Sequence, residues 1–342
     1  MGQISLFDHS DYLETLAKHK DPLEKLDKVI DWSLFRPILD RRLKRDRKSN
    51  AGRPPYDVLL MLKLIILQSL YGLSDAQTEF QILDRYTFKR FLGIKAESDI
   101  PDEKTIWLFK ERLSNEGVKR IFRKFSSEMD KAGFSAKKGS IVDATFVDAP
   151  KQRNSHDENE QIKNGCIPED WSDAKLRQKD TDARWTKKNN ETHFGYKNNV
   201  CVDAKRKLIR CYTVTPASVH DSQAFPEMAG TFKKNSNKSV YGDSAYRSNE
   251  HEKLLVDAEL KSKIHEKGNR SGKLSDKQLK RNSIKSSTRV RVEHVFGRMK
   301  QFKSDTIRCI GIARASMRIG LANLVYNMDR IASMGGQRPK AA

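Results

Sequence analysis

The spacing of apolar residues changes near residue 139, and this change constrains the fold more than any other feature of the 342-residue sequence. Before it, the apolar run at 58–71 and the segments that follow Ser74 and Asp102 have the spacing and capping residues of helices. After it, short runs of β-branched and aromatic residues predict strands at 140–147, 196–202, 208–214, 238–241 and 260–264. Helices are predicted between and after these strands, at 221–228, 249–257, 290–302 and 313–334.

The charge of the chain indicates a polyanionic partner. There are 66 Lys and Arg against 45 Asp and Glu, a formal net charge of +21 that concentrates polyanions at the surface. Residues 36–53 hold eight basic and two acidic side chains, and residues 263–300 hold twelve basic and three acidic. One such run is usually only a solvated face, but two in the same chain favour DNA as the partner.

These patterns predict an α/β fold, a mixed sheet flanked by helices, preceded by an all-α domain. We place a helical DNA-binding or dimerisation domain at 1–135, the α/β domain at 136–334 and a flexible tail at 335–342. The polar segment 151–192 is predicted to be an insertion between the first two strands. The segment 268–288, rich in glycine, serine and lysine, is predicted to be a mobile or DNA-ordered loop.

The cysteines and the apolar segments indicate the compartment. The four cysteines form no CxxC pair and have no histidine at zinc-ligand spacing, which disfavours a metal cluster and fits a reducing cytosol. Cys201 and Cys211 could face each other across the predicted hairpin. The N-terminal segment lacks the features of a signal peptide, and the most apolar run, 58–67, is too short to span a bilayer. We therefore expect a cytoplasmic protein with no membrane partner.

Two aspartates occupy positions where a sheet can present them to a ligand. Asp143 lies within the first predicted strand, although Asp is depleted from strands, and it shares a face with Ile141, Thr145 and Val147. Asp243 follows a short apolar strand, at the carboxyl end where α/β sheets bind their ligands. The alternative for Asp243 is that it begins a turn or caps the next helix.

A third carboxylate lies in the basic C-terminal part of the chain. Glu293 is the one acidic residue in the predicted helix from 290 to 300, and on a continuous helix it would share a face with Arg289 and Lys300. An ordinary surface pair with Arg289 is the alternative. A single carboxylate in a cationic surface indicates a residue that binds a cation or takes part in proton transfer.

Convergence of Asp143, Asp243 and Glu293 would make an all-oxygen site suited to Mg²⁺ or Mn²⁺. Two such ions, about 3.5–4 Å apart, activate a water or a 3′-hydroxyl and stabilise the leaving oxygen during attack on a phosphodiester. Bound cations also allow clustered carboxylates to stay ionised.

The motifs around these residues resemble those of a known family. DATFVDAPKQR, YGDSAYRS and RVRVEHVFGRMK occur in the order found in the DDE transposases of bacterial insertion sequences, specifically the InsH-like group. Residues 53–91 resemble the helical N-terminal domain of those proteins. The resemblance implies an RNase H-like catalytic domain, with Asp143 on the first strand, Asp243 after the fourth and Glu293 on a later helix.

The resemblance also implies a set of DNA contacts. In related transposases the glutamate belongs to a motif of Tyr, Arg, Glu and Lys; Arg289, Glu293 and Lys300 hold the last three positions, and Ser286 stands at the tyrosine position. No role is therefore carried over for the tyrosine. Arg289 and Lys300 are expected to contact DNA phosphates. The N-terminal basic patch is expected to grip the element ends through Arg41, Arg42, Lys44 and Arg45.

The function implied is that of a transposase that binds the terminal inverted repeats of its element, cuts at their ends and joins the 3′-hydroxyls to target DNA. Asp143, Asp243 and Glu293 would be catalytic and hold two Mg²⁺ or Mn²⁺ ions, and at least a dimer would act on DNA in the bacterial nucleoid. Two other classes stay open at this point. A metal-dependent endonuclease of the same fold would cut without joining, and a sequence-specific DNA-binding regulator would need none of the three carboxylates.

Overall fold

The structure is a computed structural model that describes residues 15, 18, 19, 21–44, 54–95, 99–134, 139–188, 190–232, 238–268 and 273–335. It divides into two compact units, Met1–Leu113 with Met328–Ala342, and Ser114–Asn327. Arg45 and residues 336–342 of the predicted tail lie outside the described residues.

Helices make up the described part of the first unit. They are α1 (Pro22–Val29), α2 (Arg36–Leu43), α3 (Val58–Tyr71), α4 (Asp75–Asp84), α5 (Tyr86–Leu92) and the first part of α6 (Glu103–Met129). As predicted, α3 ends at Gly72, which adopts the left-handed conformation, and Ser74 caps α4 in a capping box with Gln77. α6 is broken at Ser114 (φ 55°, ψ 176°), at the boundary between the two units.

The second unit is built on a six-stranded mixed sheet. The strands are β1 (Ser140–Asp148), β2 (Arg184–Lys188), β3 (Glu191–Asp203), β4 (Ile209–Pro216), β5 (Ser239–Gly242) and β6 (Lys261–Ile264). They follow the order β2-β3-β1-β5-β6, with β4 also paired to β3. β3 is antiparallel to β1, β2 and β4, whereas β5 is parallel to β1 and β6 is parallel to β5.

Helices complete the second unit. They are α7 (His156–Lys163), α8 (Asp173–Leu176), α9 (Phe225–Ala229), α10 (Asn249–Asp257), α11 (Asp276–Arg289), α12 (Arg291–Gln301) and α13 (Ile312–Ser333), whose last residues, from Met328, belong to the first unit. Val142 packs in a core cluster with residues of α9 and α10, whereas Val147 packs in a second cluster with Ala315 and Ile319 of α13. Side chains five residues apart on a strand point to opposite faces, so helices cover both sides of the sheet. This architecture is the predicted RNase H-like fold.

Two of the sequence-based expectations for this unit are wrong. The segment 151–192 is more than an insertion, because it contains β2, which pairs with β3 from Arg184↔Gly195 to Lys188↔Glu191. The segment predicted as a mobile loop at 268–288 contains α11, which begins with a capping box between Ser275 and Gln278. No residue of α11 is buried, so no apolar stripe signalled this helix in the sequence.

Buried asparagines fasten α13 to the sheet. Asn198 on β3 and Asn323 on α13, both fully buried, exchange two amide hydrogen bonds of 2.8 and 3.0 Å. One turn later, Asn327 accepts from the Ile209 N–H and donates to the Ile209 carbonyl, each at 2.8 Å. These pairs satisfy buried polar groups that would be costly to leave unpaired, so they fix α13 in register against β3 and β4.

The backbones of β1 and β3 approach each other closely at Gly195. Gly195, opposite Asp148, has φ +149°, and a Cβ placed there would lie 2.3 Å from the Val147 carbonyl oxygen. Only glycine tolerates both the conformation and the approach.

In the described residues, no single helix is long and apolar enough to cross a membrane; α3 and α4 together pass by length and composition, but they meet at a bend of 101°.

Candidate active site at the carboxyl edge of the sheet

The sheet register brings the two predicted aspartates to the same level. β1 and β5 are parallel, with Ser140 opposite Val240 and Ile141 opposite Tyr241. Continued by two residues, this register places Asp143 level with Asp243, which directly follows the end of β5. Neighbouring strands lie about 4.8 Å apart. The two carboxylates therefore belong to adjacent interior strands and lie at the level where β5 ends.

Asp143 is a buried carboxylate with a cationic partner. Its side chain is held in the middle of β1, and the residue is 7% exposed. Oδ1 accepts a hydrogen bond from the Ala144 N–H at 2.9 Å, and Oδ2 lies 2.7 Å from Arg289 Nη1. Burial raises the pKa of Asp143 to about 6, against the lowering effect of Arg289; the charges of Asp243 and Glu293 raise it further.

Asp243 is positioned by the turn that follows β5. It caps the short 3₁₀-helix Ser244–Tyr246, and its Oδ1 accepts a hydrogen bond from the Ala245 N–H at 2.8 Å. The capping role considered as an alternative is therefore present. It uses one oxygen, and Oδ2 has no partner among the described residues.

Glu293 lies in the first turn of α12, with an exposed side chain. The opposite side of this helix is buried through Val292, Val295, Phe296 and Met299, and α12 packs against β1. Its effect on the pKa of Asp143 places Glu293 within electrostatic range of that carboxylate. Its carboxylate has no hydrogen-bond or ion-pair partner among the described residues.

The prediction that Arg289, Glu293 and Lys300 share one helix is wrong. Arg289 is the last residue of α11, and α12 begins after a turn at Val290. This break allows the Arg289 side chain to reach Asp143 on β1, away from the exposed Glu293. The ordinary Arg289–Glu293 surface pair is consequently not formed.

Polar contacts hold α11 to the residues that follow β6. Asn282 accepts from the Glu266 N–H at 2.9 Å and donates to the Glu266 carbonyl at 3.1 Å. Lys285 donates to the Ile264 carbonyl at 2.9 Å and pairs with the Glu266 carboxylate at 3.3 Å. α11 thus connects the edge of β6 with Asp143 on β1 through Arg289.

The donor atoms of the three candidate acids fit a divalent cation in their chemistry. Asp143 is paired with the Arg289 guanidinium, whereas Oδ2 of Asp243 and the carboxylate of Glu293 have no hydrogen-bond or ion-pair partner in the described structure. Hard oxygen ligands with unbalanced negative charge suit Mg²⁺ or Mn²⁺. Even so, no three His, Cys, Asp or Glu side chains among the described residues are already close enough to hold an ion.

Tyr246 is a buried residue of this region that the sequence did not single out. Its hydroxyl has no hydrogen-bond partner among the described residues. Burial raises the pKa of this phenol well above its usual range, and the charges of Asp143, Asp221 and Asp243 raise it further. The phenol is thus a neutral donor close to the two catalytic candidates. Its position in the motif YGDSAYRS, three residues after Asp243, was the available signal.

The remaining predicted contacts lie elsewhere. Lys300 is exposed near the end of α12, seven residues after Glu293. Arg41 and Arg42 are exposed in the last turn of α2, and Lys44 follows it, in the first unit. The contacts in the described structure carry no information on whether Lys300, Arg41, Arg42 and Lys44 bind DNA.

Comparison with known proteins identifies the family. Residues 135–328 match the family model described as Transposase DDE domain, which covers more than half of the chain. The chain belongs to the DDE transposase family. A second family model, described as Transposase domain (DUF772), matches residues 11–112 of the transposase.

A solved structure of piggyBac transposase, in a synaptic complex with hairpin DNA, is also similar to this transposase. The similarity covers 93% of this chain and 77% of that chain, with 10% sequence identity and a TM-score of 0.44. An overlap this loose carries no conclusion about the present site. Membership of the DDE family accounts for the α/β fold and makes the protein a transposase, an enzyme of DNA transposition and recombination, in a family that generally uses divalent metal ions.

Proposed function

We propose that this transposase binds the terminal inverted repeats of its own insertion sequence, cleaves the DNA at their ends and joins the 3′-hydroxyls to target DNA. The observation that carries the proposal is the alignment of Asp143 and Asp243 on adjacent parallel strands. Glu293 on α12 lies within electrostatic range of Asp143. We assign these three residues as the catalytic ligands of Mg²⁺, or of Mn²⁺ in its place, with two ions as the expected number.

A divalent ion at this site supplies charge stabilisation for the attacking and leaving oxygens of a phosphodiester. Asp143 gives the site its rigid ligand, because strand pairing on both sides of β1 and burial fix its carboxylate. Asp243 keeps one oxygen on the Ala245 N–H, which would leave the other for the ion. Glu293, whose side chain is exposed, would turn toward Asp143 to complete the ligand set.

Arg289 has a different role from the three acids. In the structure its guanidinium neutralises Asp143. If Asp143 held a divalent ion, its charge would be neutralised without Arg289, whose guanidinium could then contact a DNA phosphate. Lys300 and the N-terminal patch of Arg41, Arg42, Lys44 and Arg45 are assigned to phosphate contacts that position the DNA without reading its sequence.

Because two element ends are processed together, we expect at least a dimer on DNA, at the nucleoid of the bacterial cytoplasm. We retain the helical domain at 1–135 for DNA binding or dimerisation and the catalytic domain at 136–334. The matched family segments, 11–112 and 135–328, support a division between them.

The test is a strand-transfer reaction with labelled duplexes that carry the inverted repeats flanking the gene, plus target DNA and Mg²⁺. The wild-type protein should give cleaved ends and joined products. Asp143→Asn, Asp243→Asn and Glu293→Gln should bind the end duplex and yield neither product. Asp148→Asn is the matched control, since Asp148 is on the same strand, points to the other face and contacts His193.

Two outcomes contradict the proposal. Cleavage without joined products would identify a metal-dependent endonuclease of the same fold. Cleavage by Asp143→Asn at the wild-type rate would remove that residue from the active site.

A further inference from the structure

β6 pairs with β5 on the side away from β1, and this pairing brings a histidine to the level of the two aspartates. β5 and β6 are parallel, with Gly242 opposite Ile264. The backbone N–H of His265 donates to the Gly242 carbonyl at 3.0 Å, so the pairing extends to the residue after β6. Asp143, Asp243 and His265 are therefore presented in sequence by three adjacent parallel strands.

The imidazole of His265 is held by the same helix that supplies Arg289. His265 Nε2 lies 3.2 Å from Ser286 Oγ, and Ser286 precedes Arg289 by one turn of α11. The neighbouring contacts of Asn282 and Lys285 with residues 264–266 clamp the backbone on either side of the histidine. Two residues of α11 one helical turn apart therefore contact the two outer strands of the three. Ser286 contacts His265 beside β6, and Arg289 contacts Asp143 on β1.

One nitrogen of this ring remains available. Nδ1 has no hydrogen-bond partner among the described residues, and the side chain is partly exposed. Burial lowers the pKa of His265, Arg289 and Lys285 lower it further, and Asp243 opposes them. The ring is consequently a neutral group surrounded by basic side chains. When Ser286 donates its hydroxyl proton to Nε2, the ring proton is placed on Nδ1, which then becomes a donor.

We propose that His265 is a positioning residue of the active site, whose Nδ1 donates a hydrogen bond to a phosphate oxygen of the DNA strand that lies beside Asp243. The inference rests on the proposed function, because it names a further contact of the same site with DNA. Ser286, which replaces the tyrosine of the related motif, acts through His265 by fixing the orientation of the ring. The contact adds a neutral donor to the charged contacts assigned to Arg289 and Lys300.

The test is a double-mutant cycle, in which the His265 side chain and one DNA phosphate are altered separately and together. Equilibrium binding is measured for duplexes of the flanking inverted repeat in which one phosphate at a time, around the cleaved bond, is replaced by an uncharged methylphosphonate. Mg²⁺ is omitted so that no cleavage occurs. Wild-type protein and His265→Ala are compared on every duplex, and His265→Asn, whose amide nitrogen lies near the position of Nδ1, provides the rescue.

For a hydrogen bond to a charged phosphate, His265→Ala should weaken binding of the unmodified duplex about tenfold. One methylphosphonate should weaken wild-type binding by a similar factor and have no further effect on His265→Ala. His265→Asn should recover part of the affinity. Ser286→Ala should lose a smaller factor at the same phosphate; because Ser286 lies on a helix without buried residues, this variant is expected to fold.

The thermal unfolding midpoint and the binding of Mn²⁺, followed by electron paramagnetic resonance, should be unchanged in His265→Ala. The proposal is overturned when His265→Ala binds all duplexes as the wild type does, or when every methylphosphonate effect persists in the variant. Loss of Mn²⁺ binding would also overturn it, because the residue would then be a metal ligand. The cycle measures affinity without cleavage, so its result stands apart from the cleavage test of the three acids.

Discussion

Replacing Asp143 by asparagine should make the metal-free protein more stable while it abolishes catalysis. The folded-state pKa of Asp143 is about 6, because burial outweighs the pairing with Arg289. In the unfolded chain an aspartate titrates near 3.9. A carboxylate whose pKa is raised by folding favours the folded state only while it is protonated. Its contribution is complete below the unfolded pKa and is lost as the pH rises through the folded one.

The magnitude follows from the difference between the two values. About two pKa units correspond to about 3 kcal/mol of unfolding free energy, which the wild-type protein loses between about pH 4 and about pH 7. Asparagine has nearly the shape of the protonated side chain and does not titrate, and like the protonated acid it keeps one carbonyl oxygen as an acceptor. We expect Asp143→Asn to match the wild-type stability near pH 4 and to exceed it by about 3 kcal/mol at pH 8.

The assay is urea unfolding at a series of pH values, in EDTA, followed by circular dichroism. Addition of Mg²⁺ at pH 8 should then stabilise the wild-type protein and leave Asp143→Asn unchanged, because a ligand stabilises only the state that binds it. Parallel pH profiles for the two proteins, or a variant less stable than the wild type at pH 8, would refute the reasoning. Asp148→Asn, on the same strand, should leave the pH profile unaltered.

Three further changes test the site and its scaffold. Glu293→Gln should keep the wild-type unfolding midpoint, since this side chain is exposed, yet should weaken Mn²⁺ binding measured by electron paramagnetic resonance at least tenfold. Asn323→Ala should destabilise the protein by about 3 kcal/mol in urea, because the Asn198 amide loses its buried partner; a change below about 0.5 kcal/mol would contradict that account. Gly195→Ala should abolish the soluble folded protein or lower its melting temperature by more than about 5 °C, through the clash with the Val147 carbonyl.

The sequence predicted those elements whose side chains face a core. The strand at 140–147, the hairpin at 196–214 and the helices at 249–257 and 313–334 agree with the structure to within a few residues, apart from the longer β3. Each of these segments carries the apolar period of its secondary structure, because burial of one face selects the residues on it. Cys201 and Cys211 do lie opposite each other in the β3–β4 ladder, and both are free thiols.

The elements that the sequence did not predict are held by polar contacts. β2 has an alternating but largely exposed surface with three basic residues among five, so its pattern was that of a loop. α11 has no buried residue and is fixed through Asn282, Lys285, Ser286 and Arg289, each of which bonds to a group distant in sequence. Partners of this kind cannot be deduced from local composition.

The same distinction applies to the site. The three acids could be selected from the sequence because motifs surround them. The pairing of Arg289 with Asp143 was not expected, because it depends on the break at Val290 and on the packing of two helices. His265 had no motif of its own. Its place beside Asp243 follows only from the β5–β6 register.

The asparagines that fasten α13 make the order of synthesis relevant to activity. A ribosome-bound chain acquires Asp143, Asp243 and Glu293 before Asn323 and Asn327, which pair with Asn198 and with the Ile209 backbone. Until those two residues emerge, an amide of β3 and a peptide group of β4 have no partner. A prematurely released fragment would thus contain all three acids proposed as catalytic, while these buried polar groups of β3 and β4 would still be unpaired.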